Sequence, residues 1–169
     1  DADIDAAVAA MIDAQTTTII LTDNLDIITT GARDDSILGS SGTINSDVID
    51  GGAGTDTLSV TLTNADDNNS VFTAKNVENL KFRVEKSYDD VTLDLGDVTG
   101  VESITAYRLA EDLTLNAVQE ISDLTIDRNT SNSDVYINWS GAVDGGTEDT
   151  ITINLINSSN AGTINVDNI

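Results

Sequence analysis

One aspartate register constrains this chain more than any other feature of its sequence. Aspartate, any residue and a large aliphatic residue recur in that order four times, with the aspartates at Asp26, Asp35, Asp47 and Asp56. Intervals of 9, 12 and 9 residues separate these aspartates, and short β-branched runs follow them. Units this short cannot bury an apolar face alone, so they stack on one another. The register therefore predicts a repetitive, stacked architecture.

The last copy of the register lies in a complete glycine-rich nonapeptide at residues 51–59, with the pattern Gly-Gly-x-Gly-x-Asp-x-aliphatic-x. Its glycines allow the positive backbone dihedrals of a tight turn, and its aliphatic residue points inward from a short strand. Two nonapeptides complete one coil of a parallel β-roll, so like turns stack about 4.8 Å apart. We therefore expect Asp26 beside Asp47 and Asp35 beside Asp56. Paired carboxylates and backbone carbonyl oxygens are ligands that Ca²⁺ takes at about 2.3 to 2.6 Å.

This stretch resembles the repeats-in-toxin (RTX) family of secreted bacterial calcium-binding proteins over about residues 19–60. The copies before the last depart from the family pattern, because residues 30–37 keep one glycine and place Arg33 at the third glycine position. The resemblance implies calcium ions between stacked turns, with Asp35 and Asp56 as the stronger pair. The residues that we assign to calcium binding are Asp26, Asp35, Asp47, Asp50, Asp56, Gly31, Gly52, Gly54, Asp144 and Asp149.

Asp144 and Asp149 belong to a separate stretch near the end of the chain. Residues 144–151 look like a nonapeptide shortened by one residue. Both a calcium site and a plain glycine-rich turn are consistent with this stretch.

The composition points to oxygen chemistry and to cations as partners. Thirty Asp and Glu residues stand against seven Lys and Arg, the formal charge is −23, and His and Cys are absent. Without imidazole or thiolate there is no Ser-His-Asp triad, no Cys-His nucleophile pair and no ordinary zinc site. Repulsion disfavours nucleic acid and anionic membrane surfaces, and no apolar run is long enough for membrane insertion. Calcium is the one cofactor that we expect.

The remainder of the chain predicts an all-β fold, because short β-branched runs alternate with period two from Thr16 onward. Residues 1–15 have the apolar spacing of an amphipathic α-helix, which we expect to cap the first coil. Residues 16–62 form the RTX-like roll, and residues 63–169 continue it as wider coils. A looser repeat at 76–80, 100–104 and 120–124 supports this division. The fold class predicted is a parallel β-roll or β-helix with a short N-terminal helix as cap.

Three arginines follow the looser repeat at similar offsets, at Arg83, Arg108 and Arg128. A ladder of these side chains on one face has two interpretations. One is a groove for an anionic glycan, and the other is a set of surface salt bridges worth less than about 1 kcal/mol each. Trp139 alternates with polar neighbours, which places it in the core or in an interface.

Within the RTX group, the Thr- and Asn-rich coils resemble S-layer proteins, which coat bacterial cells. The resemblance implies a non-enzymatic, secreted cell-surface module that folds on calcium binding and self-associates into a lattice, with cell-surface polysaccharide as a further partner. An adhesin module that binds glycan or a host surface is one alternative. The other is an accessory domain of a calcium-dependent polysaccharide lyase or epimerase. The chain opens on Asp1 and stops in mid-pattern, so we expect it to be a segment of a longer protein.

Overall fold

The computed structural model of this protein describes residues 15–85, 90–120, 122–129, 131–140, 150–160 and 162–167. Over these residues the chain is all-β, and its parallel strands form a β-solenoid of about five turns. The predicted solenoid is therefore confirmed. The predicted cap helix spans residues 1–15, of which 1–14 lie outside the described residues, and no N-terminal helix is supported. Among the described residues there is no helix with the length and hydropathy of a membrane span.

The strands are short, as the alternating β-branched runs predict. In chain order they are β1 (Thr18–Ile20), β2 (Ile27–Thr29), β3 (Ser36–Gly39), β4 (Val48–Asp50), β5 (Thr57–Leu62), β6 (Ser70–Val71), β7 (Thr73–Lys75), β8 (Asn79–Val84), β9 (Val91–Asp94), β10 (Ser103–Tyr107), β11 (Leu113–Val118), β12 (Asp123–Asp127), β13 (Val135–Trp139), β14 (Ile153–Ile156) and β15 (Ile164–Asp167). One short helix, α1 (Asn64–Asp67), is described between β5 and β6.

Three parallel sheets form the walls of the solenoid. Sheet 1 has the order β1-β3-β5-β8-β10-β12-β14, sheet 2 the order β15-β13-β11-β9-β6, and sheet 3 the order β2-β4-β7. Coil length varies along sheet 1. Thr18 pairs with Ser36, 18 residues on, which equals two nonapeptides. Leu124 pairs with Ile153, 29 residues on, so the later coils carry longer loops.

The core is a stack of inward-facing aliphatic and aromatic side chains. The buried residues of β5 are Leu58, Val60 and Leu62. Strand β8 repeats this alternation one coil further on. Because the strands pair in register, Leu58 lies against Leu80. Trp139 is also buried, and its indole N–H donates a hydrogen bond to the Glu120 carbonyl at 2.9 Å. Trp139 is therefore a core residue in this chain.

The buried carboxylate of Asp67 joins α1 to the loop between β3 and β4. Its Oδ2 accepts the Thr63 N–H at 2.6 Å, and its Oδ1 accepts the Gly42 N–H at 2.9 Å. Burial raises the pKa of this carboxyl above its usual value despite these two donors. The sequence did not mark Asp67, because it follows Asp66 in a polar stretch without a glycine pattern.

Candidate calcium-binding site

The two predicted aspartate pairs come together at the starts of neighbouring strands. The Asp35 N–H donates to Asp56 Oδ1 at 2.7 Å, and the Asp26 N–H donates to Asp47 Oδ1 at 2.9 Å. Both contacts join consecutive coils, because β3 pairs with β5 and β2 pairs with β4. The stacking that the sequence predicts for these four aspartates is therefore present.

The two members of each pair differ in how their second carboxylate oxygen is satisfied. In the first member a backbone N–H four residues earlier serves it: Thr22 donates to Asp26 Oδ2 at 2.6 Å, and Gly31 donates to Asp35 Oδ2 at 3.2 Å. The second members have no such donor. Asp47 Oδ2 and Asp56 Oδ2 are buried without a hydrogen-bond partner within the described chain.

Without a cation beside them, these two unpaired oxygens would be energetically unfavourable. Asp47 is 1% exposed and Asp56 is fully buried. Burial raises the pKa of both carboxyls, and the neighbouring negative charges of Asp26 and of Glu78 raise them further at Asp47 and Asp56 respectively. An unsatisfied buried oxygen typically costs about 1 to 3 kcal/mol, and more when it is charged. A cation beside each carboxylate would remove this cost.

Glycine lets the 51–56 turn pack directly against the 30–35 turn. Gly52 has φ of 82°, and a Cβ on it would lie 2.2 Å from the Gly31 carbonyl oxygen. At Gly54, with φ of 124°, a Cβ would lie 2.7 Å from the Arg33 carbonyl oxygen. The predicted glycines thus bring the backbones of two coils together beside Asp35 and Asp56.

Asp50 occupies a different environment from the four paired aspartates. Its Oδ2 lies 2.7 Å from the Lys75 ammonium, and its Oδ1 accepts the Asn76 side-chain N–H at 2.8 Å. The Lys75 hydrogen bond is the main cause that lowers the pKa of this carboxyl. Asp50 already has a cationic partner, so the structure does not join it to the aspartate pairs. Asp144 and Asp149 lie outside the described residues.

Across the described residues, no three acidic side chains form a metal-ligand group. A calcium site at either pair would therefore combine two carboxylates with backbone carbonyl oxygens. Calcium takes six to eight oxygen ligands from carboxylates, carbonyls and water, so this mixture suits it.

A second acidic series, which the sequence analysis missed, lines the starts of the sheet 2 strands. The Asp112 N–H donates to Asp90 Oδ1 at 3.2 Å, and the Asp134 N–H donates to Asp112 Oδ1 at 2.7 Å. The same contact joins the Thr163 N–H to Asp134 Oδ1 at 2.6 Å. The signal was a spacing of 22 residues between these aspartates, each followed by an alternating strand. It lacked the glycines by which the first series was found.

The middle carboxyl of this series leads to a prediction on pH dependence. Burial first, and then the charges of Asp90 and Asp134, raise the pKa of Asp112 above 3.8. The folded state therefore holds this proton more tightly than the unfolded state, and stability is lost as pH rises through the raised pKa. Asp112→Asn keeps an acceptor for the Asp134 N–H but removes the charge. We expect this variant to be more stable than wild type at pH 7, by up to about 1 kcal/mol.

The gain from Asp112→Asn should shrink as pH falls toward 4, because a growing fraction of the wild-type carboxyl is then protonated. Urea unfolding in saturating calcium at pH 7, 5.5 and 4 measures it. Asp123→Asn removes an equal but exposed charge and serves as the control. A gain at Asp112 that does not change with pH would contradict the assignment.

The predicted arginine ladder is present for two of its three members. The Arg108 N–H donates to the Asp127 carbonyl at 3.0 Å, which sets Arg108 level with Arg128. Phe82 pairs with Ala106, so Arg83 stands one residue out of step, beside Tyr107. This part of the prediction is wrong, because β8 and β10 pair without a shift, and Arg83 follows Leu80 by three residues whereas Arg108 follows Ile104 by four.

A depression of about 500 Å³ opens between the two aligned arginines. Its lining is Arg108, Leu109, Ala110, Arg128, Ser131 and Asn157. The backbone at Arg108, Arg128 and Asn157 is left-handed, with φ of 50°, 56° and 51°. Non-glycine residues adopt this conformation uncommonly, and it recurs here on three consecutive coils. Arg128 lies 3.8 Å from Asp127, while Arg108 stacks on the Tyr107 ring at 5.3 Å.

Comparison with known proteins identifies no relative: no protein-family model, no curated protein and no solved structure matches this chain.

Proposed function

We propose that this chain is a calcium-stabilised structural module of a secreted bacterial surface protein. The observation that carries the proposal is the buried, unpaired oxygen in each aspartate pair, at Asp47 and Asp56. The negative charge of a further carboxylate acts on each of these groups, that of Asp26 on Asp47 and that of Asp35 on Asp56. A hard divalent cation satisfies these oxygens and neutralises the like charges that face them.

The residues that would hold the ions are the two stacked pairs, Asp26 with Asp47 and Asp35 with Asp56. Their donors are all oxygens, and His and Cys are absent from the whole sequence, so calcium fits this set better than zinc or copper. When bound, the ion supplies positive charge between two coils. The chain itself supplies the carboxylates and the turns that hold them in register.

Ion binding of this kind is coupled to folding. At a formal charge of −23 the metal-free chain opposes its own compaction, and cation binding contributes free energy to the folded state alone. For a secreted protein this coupling links folding to export: the chain stays unfolded in the calcium-poor cytosol and folds outside the cell. We propose that the role is structural rather than catalytic.

Lateral self-association into an S-layer-like lattice is the wider setting of this proposal. Its support is apolar surface at the edge strand of sheet 1, β14. Leu155 is 60% exposed, although its register partner Ile126 on the preceding coil is buried. Contact with a second copy, or with a further coil of a longer chain, would cover such a surface.

The test of the calcium proposal is thermal melting followed by circular dichroism, first in excess chelator and then across a calcium titration. Magnesium at equal ionic strength serves as the control for charge screening. Light scattering on the same samples measures self-association. If neither the β signal nor the melting temperature changes with chelator or with calcium, the calcium proposal is excluded.

The depression between Arg108 and Arg128 favours a second candidate function, the binding of an anionic glycan. Two guanidinium groups at one opening suit the carboxylate of a uronate. This candidate covers both the adhesin and the lyase or epimerase alternatives.

For this second candidate we expect a uronate oligosaccharide, but not its neutral counterpart, to bind in calorimetry. Arg108→Gln with Arg128→Gln should weaken binding about tenfold or more, since charged hydrogen bonds contribute about 1.5 to 3 kcal/mol each. Arg83→Gln, which pairs with Glu85 outside the depression, should leave it unchanged. Unsaturated sugar product would indicate a lyase, and binding without product an adhesin. Absence of binding to wild type excludes this candidate.

A further inference from the structure

Oxygen atoms of Asn76 and Asp56 lie close to Gly51. They lie on the side of the 51–56 turn that faces the third coil, which is the coil that ends with β7. A Cβ on Gly51 would lie 1.8 Å from the Asn76 carbonyl oxygen and 2.7 Å from Asp56 Oδ2. Asn76 follows β7, which pairs with β4 on the side opposite β2. The unpaired oxygen of Asp56 therefore lies near a backbone oxygen of the third coil, beside a residue without a side chain.

A second carboxylate from the third coil reaches the same turn. Glu78 Oε2 accepts the Asp56 N–H at 2.7 Å, which repeats the contact between Asp56 and Asp35 one coil further on. Within the described chain this is the one hydrogen bond of the Glu78 carboxylate. The acidic series thus continues as Asp35, Asp56 and Glu78, beyond the end of the nonapeptide.

We propose that a calcium ion also binds between the 51–56 turn and the third coil, with Asp56 Oδ2, the Asn76 carbonyl oxygen and the Glu78 carboxylate as its protein ligands. This inference rests on the proposed function and extends it by one site. Asp56 is fully buried, and its unpaired Oδ2 lies beside Gly51, so this oxygen would be shared between this ion and the ion at the Asp35 pair. A mixed carboxylate and carbonyl set of irregular shape favours calcium over magnesium, which requires near-octahedral geometry.

The site would join two parts of the solenoid that differ in sequence character. Asp56 ends the glycine-rich turn, whereas Glu78 lies in the first copy of the looser repeat, at residues 76–80. An ion shared by them would tie the RTX-like coils to the wider coils that follow.

The alternative is that Glu78 serves only as an acceptor for the Asp56 N–H. In that case glutamine could replace Glu78 without a change in calcium binding, because an amide oxygen accepts the same hydrogen bond but ligates calcium weakly. Glu78→Gln therefore separates the two roles. Glu102→Gln is the matched control, since Ser103 pairs with Asn79 and Glu102 holds the same position one coil on, exposed.

The experiment is calorimetric calcium titration of both variants and wild type, with the midpoint of the calcium-induced β signal as a second readout. We expect Glu78→Gln to lose one ion or to weaken one class of site about tenfold or more, while Glu102→Gln stays within about twofold of wild type. Equal ion number and affinity in Glu78→Gln overturns the inference and leaves the proposed function standing. If wild type binds no calcium, the proposed function fails as well.

If Glu78→Gln does not fold even in saturating calcium, Glu78→Asp takes its place. Aspartate keeps the charge but shortens the reach by one methylene, so the inference requires weaker binding at one class of site. Wild-type affinity in Glu78→Asp then overturns it.

Discussion

Removal of calcium is expected to lower the melting temperature of this protein by about 10 °C or more, or to leave it unfolded at neutral pH. Two buried carboxylate oxygens, at Asp47 and Asp56, then have no partner, and their neighbours carry the same charge. The rest of the chain adds to the effect, because 30 acidic residues oppose compaction.

The variant that checks the origin of this effect is Asp47→Asn with Asp56→Asn. Asparagine retains an acceptor for the Asp26 and Asp35 N–H groups but removes the charge that binds an ion. We expect its melting temperature to change by no more than about 2 °C between chelator and calcium. Asp23→Asn with Asp123→Asn removes equal charge at exposed positions and should keep the full response. An unaltered response in the first variant would place the ions elsewhere.

Gly51→Ala is expected to destabilise the protein by about 3 kcal/mol or more. The new Cβ would lie 1.8 Å from a backbone oxygen of the next coil, that of Asn76. This oxygen cannot move away freely, because the Gly51 N–H and the Lys75 carbonyl oxygen, at 3.0 Å, join the same two segments. Relief of the clash therefore separates two coils.

Urea unfolding in saturating calcium measures the effect of Gly51→Ala, with Gly96→Ala as the matched control. At Gly96 the nearest atom to a new Cβ is the Asp94 side-chain oxygen at 3.0 Å, which can rotate away. We expect the control to change the free energy of unfolding by less than about 1 kcal/mol. Equal effects of the two substitutions would show that the coils around Gly51 pack less closely than described.

The first coils could be predicted from the sequence because their signal is local and strict. A glycine-rich turn, an aspartate and an inward aliphatic residue define the strand start, so the pairing of Asp35 with Asp56 followed from spacing alone. The same reasoning could not show which oxygens stay unpaired. That difference depends on whether a backbone N–H four residues earlier points at the carboxylate, as at Gly31 but not before Asp56.

Other parts of the site were missed because they lack glycine markers. Glu78 was visible only as a member of the looser repeat, and its contact with the 51–56 turn depends on tertiary stacking. Asp90, Asp112 and Asp134 recur every 22 residues, but their turns are polar loops of ordinary composition. Arg83 shows the limit of spacing arguments, since an offset one residue shorter within an unshifted strand pair places it outside the ladder.

At the start of β11 the strand pairs without a register shift on both sides, and this regularity determines how the height of such a protein can change. Leu113 pairs with Val91 on one side and Val135 on the other, each 22 residues away. A unit of that size, inserted or deleted there, would bring equivalent strands and aspartates opposite one another again. Each unit changes the height of the stack by about 4.8 Å and leaves its cross-section alone. Molecular length in this architecture is therefore encoded in discrete steps, as the number of units in the gene.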